Sequence, residues 1–448
     1  MARIKRGFLL LMCFVYFIDA FSLSSLVHTL LIFIVCITFL LSITTVDKKT
    51  MVMGGILFVS GIIMNIIVNG EAVISTMGEM LQNLPLLVLM TLSPLLAIPL
   101  KNSGYIDSIQ RYLKQVKDTP HKLFTGLTSV LFLITPVLSL GSVRILHEIL
   151  QDNKFEPAFL ARAYFVGFST AMVWSPYFGS VALSLYYLEI PFSRYILFGL
   201  LLACLQLAVG NLIFFLFQYK QKEKQAEEKQ RSEPMLALLL KIVALLAALI
   251  GTLVWIESWT QLSMLLLVSL TSVIIPMLWA LITRKWKLFC SHVKTFVKNM
   301  DHSINTETVL FLSAGLFGAA VAASPFSDVI QQMFEAVSSI SFLLVATFII
   351  LLVIGLAFIG VHQIITVPVL AIQITPETLG TDPISLIVVL LLAWFMAAII
   401  SPFNAITIFI SNVVHRSTLT VGLRWNGLYI ASMYAAGMMY VSILHYIL

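Results

Sequence analysis

Long apolar segments separated by short polar ones follow one another from end to end of the chain. These apolar segments have 15 to 28 residues, around the roughly 20 that an α-helix needs to cross the hydrocarbon of a bilayer. The pattern predicts eleven crossings, at 8–22, 25–45, 51–69, 82–100, 160–187, 194–218, 235–256, 261–283, 307–323, 385–412 and 426–447. It therefore indicates an all-α polytopic membrane protein.

Two further apolar stretches, 123–150 and 341–372, are interrupted by LSLGS at 138–142 and by FIGVH at 358–362. Each is either one crossing helix or a re-entrant hairpin. Lys and Arg concentrate on the cytoplasmic side of a membrane, and this rule decides between the two. With two hairpins and the N-terminus inside, every strongly basic segment lies in the cytoplasm, and the opposite loops carry no Lys or Arg. We therefore expect two re-entrant hairpins and an N-terminus on the inner side of a bacterial cytoplasmic (inner) membrane.

Composition supports this class of protein. Of 448 residues, 60% are hydrophobic and 11% charged, and the mean hydropathy is +1.00, well above that of a soluble domain. The basic start MARIKR precedes an apolar run that a second run follows at once, which favours a retained first span over a cleaved signal peptide. The four cysteines show no paired spacing and are interpreted as packing residues. We expect no cofactor apart from a coupling Na⁺, the lipid bilayer as a partner, and no nucleic acid.

The two halves of the chain match in order. YIDSIQRYL at 105–113 pairs with FSDVIQQMF at 326–334, and the two interrupted stretches then align at their central glycines. In the topology above the first hairpin enters from the cytoplasm and the second from outside, so the repeats are inverted. The predicted organisation is N-terminal transmembrane segments at 1–50, a first repeat at 51–218, a charged cytoplasmic linker at 219–234 and a second repeat at 235–448.

A proline interrupts two of the predicted crossings at equivalent places. The first reads WSPYFGSVALS at 174–184 and the second SPFNAITIFIS at 401–411. Proline lacks an amide donor and breaks a helix, and unwound backbone at membrane depth is tolerated only inside protein or beside a water-filled cavity. Two such breaks, each preceded by a hairpin tip, would gather helix ends that can bind ions and substrates. We therefore expect a binding site where tips and breaks meet.

Candidate site residues follow from these positions. The predicted substrate-binding residues are Ser142, Arg144, Ser175, His362, Gln363, Ser401 and Asn404. The predicted sodium-binding positions are Ser139, Gly141, Ser180, Gly360 and Thr407.

Two charged or titratable residues in this set have alternative interpretations. Arg144 lies one turn after the first tip and either grips an anionic substrate through its planar guanidinium or pairs with Glu148, four residues on. His362 at the second tip either couples proton movement to transport or forms only a hydrogen bond within the loop.

The arrangement resembles the ion transporter superfamily, which includes divalent-anion:sodium symporters, over about residues 51–448. That family has two inverted repeats, each with a re-entrant hairpin followed by a broken helix. The resemblance implies an elevator-like movement of a transport domain and a homodimer. Where the family's symporters carry Ser-Asn-Thr at each tip, this chain has Leu-Gly-Ser at 140–142 and Gly-Val-His at 360–362, so only the site-lining roles of tips and breaks are carried over.

The sequence thus predicts a secondary active transporter that moves a small anionic solute by alternating access, coupled to sodium or protons. The alternatives are a cation/proton antiporter, a carrier of a lipid-linked phosphate and a channel. An intramembrane enzyme is not expected, because the chain has no HExxH, paired-aspartate or Gly-x-Ser-x-Gly pattern.

Overall fold

A computed structural model describes residues 2–22, 24–151, 155–218, 235–300 and 303–448. The predicted linker at 219–234 lies outside these ranges. Within them every regular element is a helix, which confirms the all-α prediction. The α-helices of the described chain are α1 (Ala2–Phe21), α2 (Ser25–Ile43), α3 (Lys48–Ile63), α4 (Val73–Gly78), α5 (Leu84–Leu92), α6 (Ala97–Lys101), α7 (Tyr105–Val116), α8 (Pro120–Leu138), α9 (Leu140–Leu150), α10 (Pro157–Trp174), α11 (Gly179–Tyr187), α12 (Phe192–Ile213), α13 (Met235–Thr260), α14 (Met264–Ile282), α15 (Trp286–Asn299), α16 (Ser303–Ala322), α17 (Phe326–Ser338), α18 (Phe342–Ile359), α19 (Gln363–Gln373), α20 (Pro383–Ile400), α21 (Ala405–Val413) and α22 (Trp425–Ile447).

Eleven helical segments of the described chain are long and apolar enough to cross a membrane. They are Ser25–Ile43, Lys48–Val68, Val73–Lys101, Pro120–Leu138, Phe192–Phe217, Leu239–Thr260, Met264–Ile282, Ile304–Ala322, Phe342–Ile359, Pro383–Val413 and Thr420–Ile447. The number agrees with the prediction, but two members differ. The predicted crossings at 8–22 and 160–187 are not among them, and the first halves of the two interrupted stretches are.

The chain divides into two compact units. Unit 1 comprises Met1–Leu95, Val268–Ser339 and Ile364–Leu379. Its helices α2, α3 and α5 pack around α16. Gly54 and Gly61 of α3 lie against α16, where a Cβ at Gly61 would approach the main chain of Phe317 to 3.2 Å. Small residues thus let the two backbones approach closely, as is usual between membrane helices.

Unit 2 comprises Leu96–Leu267, Ile340–Gln363 and Gly380–Leu448. Its interior is formed by α10 and α20, which are buried along almost their whole length and pack against each other. Helix α10 also packs against α8 and α12, and α20 packs against α18 and α22. Both proline breaks follow these two central helices, so both lie inside unit 2.

The two interrupted stretches differ in their packing. Helices α8 and α9 pack against each other, and the hydroxyls of Thr135 and Ser142 join them across the tip at 3.0 Å. By contrast, α18 belongs to unit 2, whereas nearly all of α19 belongs to unit 1. The first stretch is therefore a self-packed hairpin, and the second is divided between the units. Re-entry into a membrane stays a prediction for both.

The first turn of α3 supplies a test of its capping. The Asp47 carboxylate accepts hydrogen bonds from the amides of Lys49 and Thr50 at 3.0 and 3.1 Å and from the Thr50 hydroxyl at 2.6 Å. The hydroxyl above all, helped by the amides, holds the pKa of the Asp47 carboxyl below its usual value. Because the folded-state pKa is lowered, this stabilisation is present above the unfolded pKa of about 3.9 and is lost as pH falls through the folded value.

We expect Asp47→Ala to lower the free energy of unfolding by about 1 kcal/mol near pH 7, the usual value of an N-cap. The difference from the unmutated protein should vanish in acid. Thermal unfolding of the detergent-solubilised protein at both pH values measures it. Asp107→Ala is the matched control, since Asp107 is exposed in the first turn of α7 and caps nothing. Equal losses in the two variants would contradict the capping role.

Candidate functional site

The first break interrupts the helix between Trp174 and Gly179. Ser175 leaves the helical conformation, with φ −84° and ψ 126°. Its amide still donates to the Ala171 carbonyl at 3.2 Å, and its hydroxyl oxygen accepts from the Tyr177 amide at 3.3 Å. The chain therefore turns through a compact, hydrogen-bonded corner before α11 begins.

Pro176 leaves one main-chain carbonyl at this corner without its helical hydrogen bond. In an intact helix the Met172 carbonyl would accept from the amide of residue 176, and proline has no amide hydrogen. The Ser180 hydroxyl, from the first turn of α11, donates to that same carbonyl at 2.6 Å. Ser180 thus supplies the missing hydrogen bond and fixes α11 to the end of α10.

The second break is built in the same way. Ser401 is extended, with φ −64° and ψ 123°, and its hydroxyl oxygen accepts from the Phe403 amide at 3.3 Å. Pro402 leaves the Ala398 carbonyl without its helical donor, and the Thr407 hydroxyl donates to that oxygen at 2.8 Å. Ser180 at the first break and Thr407 at the second thus replace the hydrogen bond that the proline removes.

The equivalence of the two breaks extends well beyond the Ser-Pro pairs. Helices α10 and α20 both begin at a proline and have 18 residues, and α11 and α21 both have nine. Both short helices are followed by a residue in the left-handed region two positions after their end, Glu189 with φ 52° and His415 with φ 53°. Each pair of positions is 226 residues apart. The two broken helices thus share a backbone path. The repeats at 51–218 and 235–448 and their inverted orientation in a membrane stay predictions.

The helix starts after the two breaks differ in their polar groups. Asn404 caps α21, since its side-chain oxygen accepts from the Ile406 amide at 3.1 Å. The equivalent residue before α11 is Phe178, and no side chain caps α11. Trp174, the last residue of α10, stacks on Phe132 at 5.4 Å between ring centroids. Its buried indole nitrogen has no hydrogen-bond partner among the described residues. The first break therefore has a helix start without a side-chain cap and an indole donor without an acceptor among the described residues.

The tip of the first hairpin is tightly closed. Ser139 has φ 47° and ψ −133°. This conformation costs a non-glycine residue energy, and it persists only where the surrounding structure enforces it. Its carbonyl accepts from the amide of Ser142 at 3.0 Å and from its hydroxyl at 2.6 Å. Ser142 is fully buried, so it closes the tip, whereas the Ser139 side chain is exposed.

Arg144 reaches the second broken helix. Its guanidinium carbon lies 5.8 Å from the centroid of the Phe409 ring in α21. Within the described ranges Arg144 forms no salt bridge, so the predicted alternative of a pair with Glu148 is not observed. An exposed cation over an aromatic face is held by the ring quadrupole and keeps its hydrogen-bond donors available.

The end of α18 is tied to the second break. The Ser401 hydroxyl donates to the Ala357 carbonyl, in the last turn of α18, at 2.7 Å. Gly360 ends this helix with φ 105°, a conformation that favours glycine. His362 is half-buried and Gln363, the first residue of α19, is buried. The second tip thus begins within hydrogen-bonding reach of the break, through α18 rather than through a packed hairpin.

All twelve predicted site positions fall in unit 2. The contacts above join α9, which follows the first tip, to α21 through Arg144, and α18 to the second break through Ser401. Ser180 and Thr407 donate their protons to main-chain carbonyls, which leaves lone pairs for a cation, so their sodium role stays a prediction. The described chain has no group of three or more His, Cys, Asp or Glu placed to hold a metal ion.

A second carbonyl at each break has lost its helical donor. Of the residues that contact these two oxygens, only Thr407, whose hydroxyl donates to the Ile399 carbonyl at 3.2 Å, was among the predicted positions. The Tyr195 hydroxyl donates to the Val173 carbonyl at 2.5 Å, and Gly199 leaves room there, since a Cβ would lie 2.9 Å from that oxygen. At the second break Gly422 lies against the Ile399 carbonyl, where a Cβ would collide. A proline in a buried helix signals that such carbonyls need partners, but it does not say which distant residue supplies them.

The fold is similar to that of a solved transporter. The chain matches the crystal structure of the YdaH transporter of Alcanivorax borkumensis, described as having an unusual topology, with a TM-score of 0.56 and 13% sequence identity. The match covers 82% of this chain and 88% of the YdaH chain. No protein-family model and no curated protein sequence matches the chain. With the eleven candidate spans, the likeness identifies a multi-pass membrane protein with a fold that a transporter also has.

The Ser180 bond can be tested by deletion. Ser180→Ala leaves the buried Met172 carbonyl with neither an amide nor a hydroxyl donor, so we expect the free energy of unfolding to fall by about 1–3 kcal/mol. Thr407→Val, which keeps the shape of the side chain, should have a similar effect at the second break. Thermal unfolding in detergent is the measurement.

Ser184→Ala is the matched control. The Ser184 hydroxyl is also buried and donates at 2.8 Å, but its acceptor, the Ser180 carbonyl, is already inside a regular helix. Its loss should therefore cost less than about 1 kcal/mol. If Ser184→Ala destabilised the protein as much as Ser180→Ala, the role assigned to Ser180 would be wrong.

Proposed function

We propose that the protein is a secondary active transporter that moves a small anionic solute across the cytoplasmic membrane by alternating access. The observation that carries this proposal is the pair of equivalent breaks at the ends of α10 and α20, buried within one compact unit. In a membrane-spanning protein such breaks interrupt helices where lipid cannot satisfy main-chain groups. Broken helices of this kind are typical of the binding sites of secondary transporters.

The groups around the breaks favour an anion. The start of α11 has no side-chain cap, and the amides of an uncapped helix start attract negative charge. The buried indole nitrogen of Trp174, the last residue of α10, is a donor without a protein acceptor in the described chain. Arg144 adds a cation beside α21. Together they offer a carboxylate, phosphate or sulfate group both charge and hydrogen bonds.

The broken helices carry no carboxylate. Neither 157–188 nor 383–414 contains Asp or Glu. A cation/proton antiporter ordinarily needs a buried carboxylate that alternates between a proton and a metal ion. The absence of Asp and Glu from both broken helices supports anion transport over cation/proton antiport.

Coupling to sodium or to protons is part of the proposal. Hydroxyl and carbonyl oxygens at the tips and breaks are ligands that suit Na⁺, and His362 suits a proton. An elevator-like movement and a homodimer are expectations from the family resemblance.

The test is ligand-dependent thermal unfolding of the purified protein. Citrate, succinate, phosphate and sulfate are each added in sodium buffer and in sodium-free choline buffer. A ligand at about a hundred times its dissociation constant should stabilise the protein by about 2.7 kcal/mol. We expect one class of anion to do so, and Arg144→Gln and Trp174→Phe to weaken the effect, because each removes a donor to the anion.

Arg194→Gln is the matched control. It removes an exposed arginine of the same unit whose guanidinium already pairs with the Asp382 carboxylate at 2.9 Å. The anion response should survive this change. Stabilisation by cations alone, unaltered in Arg144→Gln, would overturn the anion proposal and favour the antiporter. Any hit is then followed as uptake into proteoliposomes, which separates transport from binding alone.

A further inference from the structure

Helix α15 carries a basic surface that the transport site does not use. Residues 283–300 contain five Lys or Arg and no Asp or Glu. Lys287, Lys294 and Lys298 follow one another at intervals of seven and four residues, which places them on one face of the helix. Arg284 and Lys285 extend the positive charge towards α14. All five side chains are exposed.

The opposite face of α15 is apolar. Phe289, Val293, Phe296 and Val297 follow the spacing of a helical apolar stripe. No residue of α15 is buried, and within the described chain no other helix packs extensively against it. By contrast, the amphipathic helix α7 packs on α8 and buries two apolar side chains of its own. Phe289, Val293, Phe296 and Val297 are half-buried, so this chain covers only part of the apolar face and the rest is open to another partner.

The neighbouring helices hold α15 at the end of two candidate spans. Helix α14 ends at Ile282, and only residues 283–285 separate it from α15. Three residues reach at most about 10 Å. Helix α16, another candidate span, begins soon after α15 ends. If α14 and α16 cross a bilayer, a helix fixed this closely between them has both of its ends near the bilayer surface, where headgroups meet acyl chains.

We propose that α15 lies in the membrane interface and binds anionic phospholipid headgroups through its lysines, with its apolar face in the acyl boundary. A basic face opposite an apolar face is the pattern of interfacial helices. Clustered Lys and Arg directly after a membrane span attract anionic lipids. Trp286, 43% exposed at the start of the helix, supplies the aromatic anchor common at such interfaces. Binding makes the protein's stability depend on the headgroup charge of the surrounding lipid.

The first test measures that dependence. The purified full-length protein in neutral detergent is titrated with phosphatidylglycerol or with phosphatidylcholine, and its thermal midpoint is followed. We expect stabilisation by phosphatidylglycerol at lower concentration than by phosphatidylcholine. Lys287→Gln/Lys294→Gln/Lys298→Gln should raise the phosphatidylglycerol concentration at half effect by about tenfold to a hundredfold, since each basic residue near a surface contributes a several-fold attraction.

A charge-matched triple variant controls for net charge. Lys101→Gln/Lys114→Gln/Lys117→Gln removes three exposed lysines in and beside α6 and α7 and should leave the half-effect concentration unchanged within about twofold. Soluble glycerol phosphate is a separate arm, because it offers the headgroup without the acyl chains. If it reproduced the phosphatidylglycerol effect, and the triple-lysine variant of α15 lost that response, α15 would be an ordinary anion site and the lipid proposal would be wrong.

The second test locates the helix directly and is independent of stability. Cys290 is exposed on α15 and can carry an environment-sensitive fluorophore once Cys36 and Cys204 are replaced by serine, with Cys13 buried. In phosphatidylglycerol nanodiscs, spin-labelled acyl chains should quench the fluorophore and aqueous iodide should not. Quenching by iodide alone would place α15 in solvent. Equal responses to both lipids in the first test, or an unchanged triple-lysine variant, would also overturn the proposal.

Discussion

One missing amide at each proline decides how the centre of unit 2 is built. Pro176 and Pro402 cannot donate to the carbonyls of Met172 and Ala398, and a carbonyl buried without a donor costs about 1–3 kcal/mol. At each break a hydroxyl of the short helix that follows donates to this carbonyl. The same bond that satisfies the carbonyl also sets where the short helix begins. The break is therefore a defined corner, and its main-chain groups occupy fixed positions.

The neighbouring helices follow from the same corner. Once a helix ends, the carbonyl next along, Val173 or Ile399, also needs a partner and room for it. Gly199 and Gly422 let another main chain approach these oxygens, and Tyr195 donates to the first. The residues that can pack beside each break are thus limited first by the hydrogen bonds that these carbonyls need, and only then by side-chain volume. This explains the glycine in α12 and the glycine in the turn before α22, because a larger side chain at either position would block the close approach to these carbonyls.

The sequence predicts the features that depend on local chemistry. Apolar length gives the helices, and Ser-Pro gives the breaks. It also pairs the two Ser-Pro breaks, and in the structure the helices on either side of the two breaks have the same lengths. Features that depend on distant contacts are not predictable in this way. The stretch 341–372 looks like 123–150 in hydropathy, yet its two helices belong to different units. Similarly, the spacing of Arg144 and Glu148 permits a pair, but Phe409, remote in sequence, is the observed neighbour.

The two breaks share a backbone but not a chemistry, and this difference bears on how the site can discriminate. Asn404 occupies one amide at the start of α21, whereas Phe178 leaves the start of α11 without a side-chain cap. A neutral cap reduces the number of amide donors that a helix start has for a bound anion. An amide that already donates to the cap must lose that hydrogen bond before it can form another. If both ends had been capped, the site would offer an anion little beyond Arg144. If both had been open, two anion-attracting ends would compete for one charge. Under the proposed transport of an anion, one engaged and one open helix start would give a single anionic group one preferred end, and that choice would orient the rest of the solute.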